Sequence, residues 1–209
     1  MIIAIDPGPT HSAIVWYENR KIERADAEVE NHDLTRRLRD FRALAVSDNS
    51  DNNLLLAIEC IQHYGSGMPV GAEVFRTCFW IGRFIEAEAW RGRYVLITRP
   101  TIKAHLCGTA TAKDPNVRQA LIDKWGGDSV AIGGVKCPLC HGKGWRGYDH
   151  TPCPEWKFPP GPLYGIATHS WAALAVAVTA AEVRGCGFTL EDEQAKGGYA
   201  VKVTIEQKE

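Results

Sequence analysis

No apolar run in this 209-residue chain reaches the roughly 18–20 residues that cross a bilayer, and the opening MIIAI is too short for the core of a secretory signal. A cytoplasmic protein with no membrane partner is expected. Charge of one sign is also missing: 24 basic against 25 acidic side chains leave a net −1, so a nucleic-acid partner must be met by local patches. One patch stands out, with Arg91, Arg93, Arg99 and Lys103 inside thirteen residues that hold no acid. An even cysteine count is lacking too. Seven cysteines, at 60, 78, 107, 137, 140, 153 and 186, with no export signal argue against a disulfide framework, and three within 137–153 suggest a metal. No internal repeat is evident, and 45% apolar residues is ordinary globular composition for one domain with a substantial core.

The apolar run IIAID reads as a buried strand, and SAIVWYE, after a Pro-Gly turn, as a second; KIERADAEV follows as a third. Leu34, Leu38, Phe41 and Leu44 recur at helical spacing over residues 32–46, and LLLAIE is a short buried strand ending in Glu59. Residues 70–90 contain Val74, Phe75, Cys78, Trp80, Ile81, Phe84 and Ile85 without an internal proline, which predicts a long helix with a broad buried face. YVLITR is the next strand. In KDPNVRQALIDKWGG, Asp114 stands as N-cap, Pro115 at the first helical position and Gly126 after the last turn. An alanine-rich helix is expected over 166–183, and YAVKVTI alternates as an edge strand would. This order predicts an α/β fold, a mixed sheet covered by helices. The domain spans 1–188, interrupted by a Gly, Pro and Cys-rich insert at 133–160, with a tail over 189–209.

Asp6 follows four apolar residues and precedes Pro7-Gly8, so it ends a central strand where the chain turns sharply; Glu59 ends LLLAI in the same way. Two carboxylates at neighbouring strand ends repel each other unless a proton or cation relieves them, and hard oxygen ligands suit magnesium or manganese. Taken singly, Asp6 also reads as a turn residue and Glu59 as a charge at a strand exit.

Taken together, IAIDPGPTHSAIVW, LLLAIE, the basic KAHLCGTATAKDPNVRQALIDKWG and the helix HSWAALAVAVT resemble the RuvC family of Holliday junction resolvases, above all its phage and prophage members. The resemblance covers residues 1–125 and 163–184 and lies in the order of the segments. It implies a ribonuclease H-like fold, a homodimer, and nicking of branched DNA with two divalent ions, magnesium or manganese. By the same resemblance Asp6 and Glu59 are the first two metal-binding carboxylates and His169 is a third ligand opening the last helix. Ala172 stands where typical members place the final Asp. In such a site two cations about 3.5–4 Å apart steady the attacking water and the leaving oxygen. A histidine nitrogen suits manganese or zinc better than magnesium. Asp114 is a candidate for the missing carboxylate, and helix capping is the competing role for it.

Within the insert, Cys137-x2-Cys140 and His150-x2-Cys153 form two knuckles that match a closed tetrahedral zinc site, with His141 as the rival fourth ligand. Phosphate contacts are expected from Arg99, Lys103, Lys113 and Arg118, and from Lys143 and Arg146 in the insert, where aromatic neighbours either stack on bases or pack the module. Tyr64, in the loop after Glu59, is the candidate for stacking near a crossover. Helix 70–90 carries apolar surface to spare, with Trp80, Phe84 and Trp90 in reach of a partner subunit. An actin-like or sugar-kinase fold also places Asp, Gly and Thr after a strand, but it needs two such domains and a second phosphate loop, for which this chain has no room. A scaffold that binds branched DNA without cutting it stays open through Ala172.

Overall fold

The computed structural model describes residues 1–47, 54–61, 71–87, 94–133, 145–146, 151–152 and 161–184. A mixed five-stranded sheet forms its centre, in the order β3-β2-β1-β4-β5. Strands β1 (Ile2–Asp6), β2 (His11–Glu18) and β3 (Lys21–Glu30) make an antiparallel meander, and β4 (Leu55–Cys60) and β5 (Tyr94–Thr98) add to β1 in parallel. Asn19 and Arg20 both take positive φ, 49° and 65°, as a two-residue hairpin turn that matches strand twist requires. β3 is the charged, half-exposed edge, which blunts pairing with other chains.

Helices cover both faces, so the central strands are apolar on both sides. Alternation sorts the side chains: Ile3, Ile5, Ile14, Leu56 and Ile58 pack on Leu34 and Leu38 of α1 (Asn31–Ser47) and on Trp80, Ile81 and Phe84 of α2 (Ala72–Glu86). Ala4, Ala13, Val15, Ala57 and Ile97 face the other way, onto α6 (Ser170–Arg184), with α3 (Arg99–Cys107), α4 (Asp114–Lys124) and α5 (Asp128–Ala131) alongside. Residues 173–180 of α6 are buried at every position, because its alanines let the sheet and α3 and α4 approach from opposite sides. Among the described residues no helix is long and apolar enough to cross a membrane.

Several elements differ from expectation. Arg99, expected within the strand YVLITR, opens α3 instead, a helix the apolar pattern does not announce. Pro100 sits in its first turn, where a missing N–H costs nothing, and Gly108 ends it at φ 73°. α6 begins at Ser170 rather than 166, because residues 161–169 are held in turns by backbone bonds such as Tyr164 N–H to Gly161 C=O at 3.0 Å. Asp114 is the first residue inside α4 and makes no capping bond; Lys113 is the N-cap. On α2 the buried stripe is Thr77, Trp80, Ile81 and Phe84, whereas Phe75, Phe79 and Cys78 face solvent. Trp80 and Phe84, expected at a partner surface, are therefore core residues.

The insert leaves and returns at one point: Gly161 N–H donates to Ile132 C=O at 2.8 Å and Leu163 N–H to Ala131 C=O at 2.7 Å. A side chain at 161 would run into the carbonyls of Val130 and Ala131, so glycine is required there. Inside it, β6 (Trp145–Arg146) and β7 (Thr151–Pro152) form a short antiparallel pair. The expected zinc ligands Cys137, Cys140, His150 and Cys153, together with Lys143, Tyr64, Trp90 and the tail strand, lie outside the described residues.

Candidate active site

Ile5 faces Ile58 in the parallel register of β1 and β4, so Asp6 and Glu59 follow at the same level, at the carboxyl ends of neighbouring strands. Both have the parity of Ala4 and Ala57, which points them to the α6 side. Their side chains are 15% and 13% exposed. They open onto a cleft of about 550 Å³ whose walls include Arg99, Lys103, Asp114, Arg118, His169 and Ala172.

The turn after Asp6 is built to hold it. Ser12 Oγ accepts the Gly8 N–H at 3.2 Å and donates to Asn31 Oδ1 at 2.7 Å, while Asn31 Nδ2 donates to the Gly8 carbonyl at 3.0 Å. The Asn31 N–H closes the ring on Thr10 C=O at 3.0 Å. A Cβ at Gly8 would collide with the His11 carbonyl. Neither Ser12 nor Asn31 stands out in the sequence; the available signal was a tight PGPT turn whose polar groups need partners. A bulge in β3 opposite Ser12–Ile14 turns Ala27 and Glu28 into the same cleft.

His169 precedes α6 and its carbonyl accepts the N–H groups of Ala172 and Ala173. Its Nδ1 lies 3.5 Å from Asp6 Oδ2, with the ring 75% exposed. Thr168, just before it, sits in the left-handed region at φ 40°, a strained position for a β-branched residue that aims the next side chain. Ala172 lines the cleft beside His169 and brings no donor, while Trp171 and Leu174 turn inward, 8% and 0% exposed.

The dominant electrostatic feature is Arg99. One guanidinium nitrogen meets both Glu59 oxygens, at 2.9 and 3.0 Å, and the other meets Asp114 Oδ2 at 2.9 Å. Lys103 Nζ takes Asp114 Oδ1 at 3.3 Å. Burial works against the charge on Arg99, but Glu59 and Asp114 outweigh it and hold the guanidinium above its ordinary pKa. Burial likewise opposes ionisation of Asp114, and Arg99 and Lys103 reverse this, leaving it below the usual carboxylate value. Asp6 goes the other way: burial and then Glu59 push it up to about 6, with Arg99 and His169 pulling back only part of the rise. Arg118, on α4, lies over the Trp171 indole at 4.8 Å, and Lys113 is exposed at the helix start.

The cleft thus gathers Asp6, Glu59, Asp114, His169, Arg99, Lys103 and Arg118, leaving Lys113 outside its lining. The oxygens of Asp6 and Glu59 are the right donor type for a hard divalent cation. Their arrangement is not that of a ready metal site: both Glu59 oxygens are engaged by Arg99, and among the described residues no group of three or more His, Cys, Asp or Glu is placed to hold an ion.

No known family's sequence profile matches the chain, and no curated protein matches it. Among solved structures it is similar to Thermus thermophilus RuvC, at 16% identity and a TM-score of 0.45 over 88% of this chain and 95% of that one. It is also similar to T. thermophilus RuvC in complex with a Holliday junction substrate, at 15% identity and a TM-score of 0.45 over 86% and 92%. The chemistry of the cleft rests on its own residues.

Proposed function

We propose that this chain is a divalent-metal-dependent endonuclease that nicks branched DNA, a Holliday junction or a related fork. The carrying observation is the pair Asp6 and Glu59, side by side at the ends of parallel strands and facing one open cleft. Burial and the Glu59 charge raise Asp6, so keeping this carboxylate beside Glu59 costs stability that a neutral side chain would not. Magnesium or manganese, held by Asp6, Glu59 and His169, would supply an activated water and charge relief at the phosphodiester. Asp114 is the carboxylate closest in role to the one Ala172 lacks, being tied to Glu59 through Arg99.

Of the basic side chains, Lys113 and Arg118 are without an acidic partner among the described residues and meet DNA phosphates first; Arg99 and Lys103 begin engaged with carboxylates. Tyr64 stacks near the branch, and Lys143 and Arg146 extend the contact from the insert. Cys137, Cys140, His150 and Cys153 hold a structural zinc, testable as one zinc per chain by elemental analysis and its loss in Cys140→Ser. A homodimer forms through the exposed Phe75 and Phe79 of α2, 65% and 59% exposed; Phe75→Ser with Phe79→Ser then sediments as a monomer.

The deciding experiment offers a four-way junction, a fork and a linear duplex in magnesium and then in manganese. Paired nicks in the branched substrates that vanish in Asp6→Asn bear the proposal out; binding without nicks in either metal overturns it. That second outcome is the rival reading, a scaffold that holds branched DNA without cutting, and the donor-free Ala172 in the cleft wall is what favours it.

A further inference from the structure

We infer that Arg99 is the resident cation of this cleft: its guanidinium occupies the two Glu59 oxygens that a divalent metal would need, so metal enters only by displacing it. The inference rests on the nuclease reading for the identity of the incoming ion, and on geometry for everything else. One guanidinium nitrogen lies 2.9 and 3.0 Å from the two Glu59 oxygens, a charge-assisted contact roughly twice as strong as one between neutral groups. A doubly charged ion on those oxygens would lie within a few ångströms of the guanidinium, and like charges that close repel strongly away from bulk water. The two occupants therefore exclude each other.

The surroundings allow the exchange. Arg99 is 35% exposed at the lip of an open cleft and is the first residue of α3, so the side chain can swing without disturbing the helix. Asp114 does not lose its only partner when Arg99 leaves, because Lys103 stays on its other oxygen at 3.3 Å. Ala172 offers no donor to help an ion compete. Metal affinity is consequently set by a competition inside the protein as much as by the ligands themselves.

The test is calorimetric titration of manganese into the full chain at neutral pH, without DNA, with the heat lost in Asp6→Asn defining the share bound in the cleft. Arg99→Gln is expected to bind manganese at least about tenfold tighter than wild type, a shift of about 1.4 kcal/mol. Arg99→Lys falls between, since an ammonium keeps the charge but lacks the second nitrogen that ties the guanidinium to Asp114 while the first holds Glu59. Arg36→Gln, which removes a cation from the opposite layer, leaves affinity unchanged and sets the effect of net charge. Equal or weaker binding in Arg99→Gln, or no cleft-bound manganese in either protein, overturns the inference. Should Arg99→Gln fail to fold, the Arg99 Nε–Hε resonance of the wild-type protein, assigned with Arg99→Lys, must move as magnesium saturates; a stationary resonance is equally fatal. Failure of the nuclease reading is a separate result, the absence of nicks, and does not depend on the manganese difference.

Discussion

On the α1 and α2 side of the sheet, Ile3, Ile5, Leu56 and Ile58 meet Leu34, Leu38, Trp80 and Phe84 in a dry aromatic and aliphatic layer. On the α6 side the same strands begin in the same way, with Ala4 and Ala57 under Leu174 and Val178, but one step further along the rows end in Asp6 and Glu59. Adjacent residues of one strand thus serve opposite purposes: Ile5 stabilises the fold, and Asp6 costs stability to make a site. The difference is parity, and it says that function here is confined to one face and one end of the sheet.

The comparison is broken most directly at Asp6. Asp6→Asn should lower junction nicking by more than about a hundredfold, beyond the 10–100-fold typical of losing a group one shell removed from a metal. If nicking per folded molecule survives in that variant, the α6 face is not the catalytic one. Phe84→Ala on the opposite face should do the reverse, costing about 3–5 kcal/mol in a denaturant melt while leaving nicking per folded molecule intact.

The pH dependence sharpens the contrast. Asp6 titrates at about 6 in the folded chain against 3.8 for the free group, so between those values the native state binds the extra proton. Metal-free stability should therefore fall as pH rises from about 4 to 6, by at most roughly 3 kcal/mol at about 1.4 kcal/mol per unit. Asp6→Asn should abolish that slope and melt above wild type at pH 7.5 without metal, though it is inactive. A flat wild-type profile in this window would refute the burial argument. The smallest effect belongs to the cleft rim: Lys113→Gln and Arg118→Gln should each weaken DNA binding and lower the log–log salt slope by about one, whatever the sequence of the arms.

Much of this was legible in the residues. The strands ending in Asp6 and Glu59 were readable because continuous apolar runs bounded by a Pro-Gly turn or a loop have few other uses. α1, α4 and the alanine-rich α6 were readable from period and punctuation. α3 was not, because RPTIKAHLC contains one fully buried apolar residue, Ile102, and its identity as a helix comes from packing on α4 and α6. Asp114 looked like a cap because Asp before Pro usually is one; its carboxylate turned instead to Arg99 and Lys103, since two cations nearby outbid a backbone N–H. Phe75 and Cys78 fit a buried face by hydrophobicity alone, and only the azimuth of α2 on the sheet put them outside.

By itself the sequence determined that Asp6 and Glu59 each end a buried strand, because strand period and turn chemistry are local; that the two meet was decided by the parallel register of β1 on β4. The pairing of Arg99 with Glu59, forty positions apart in the chain, was decided by the tertiary structure, as were the Ser12 and Asn31 clamp on the turn and the aim of His169 at Asp6. Each of these depends on a distance between segments that no local rule sets, and charge makes such distances decisive.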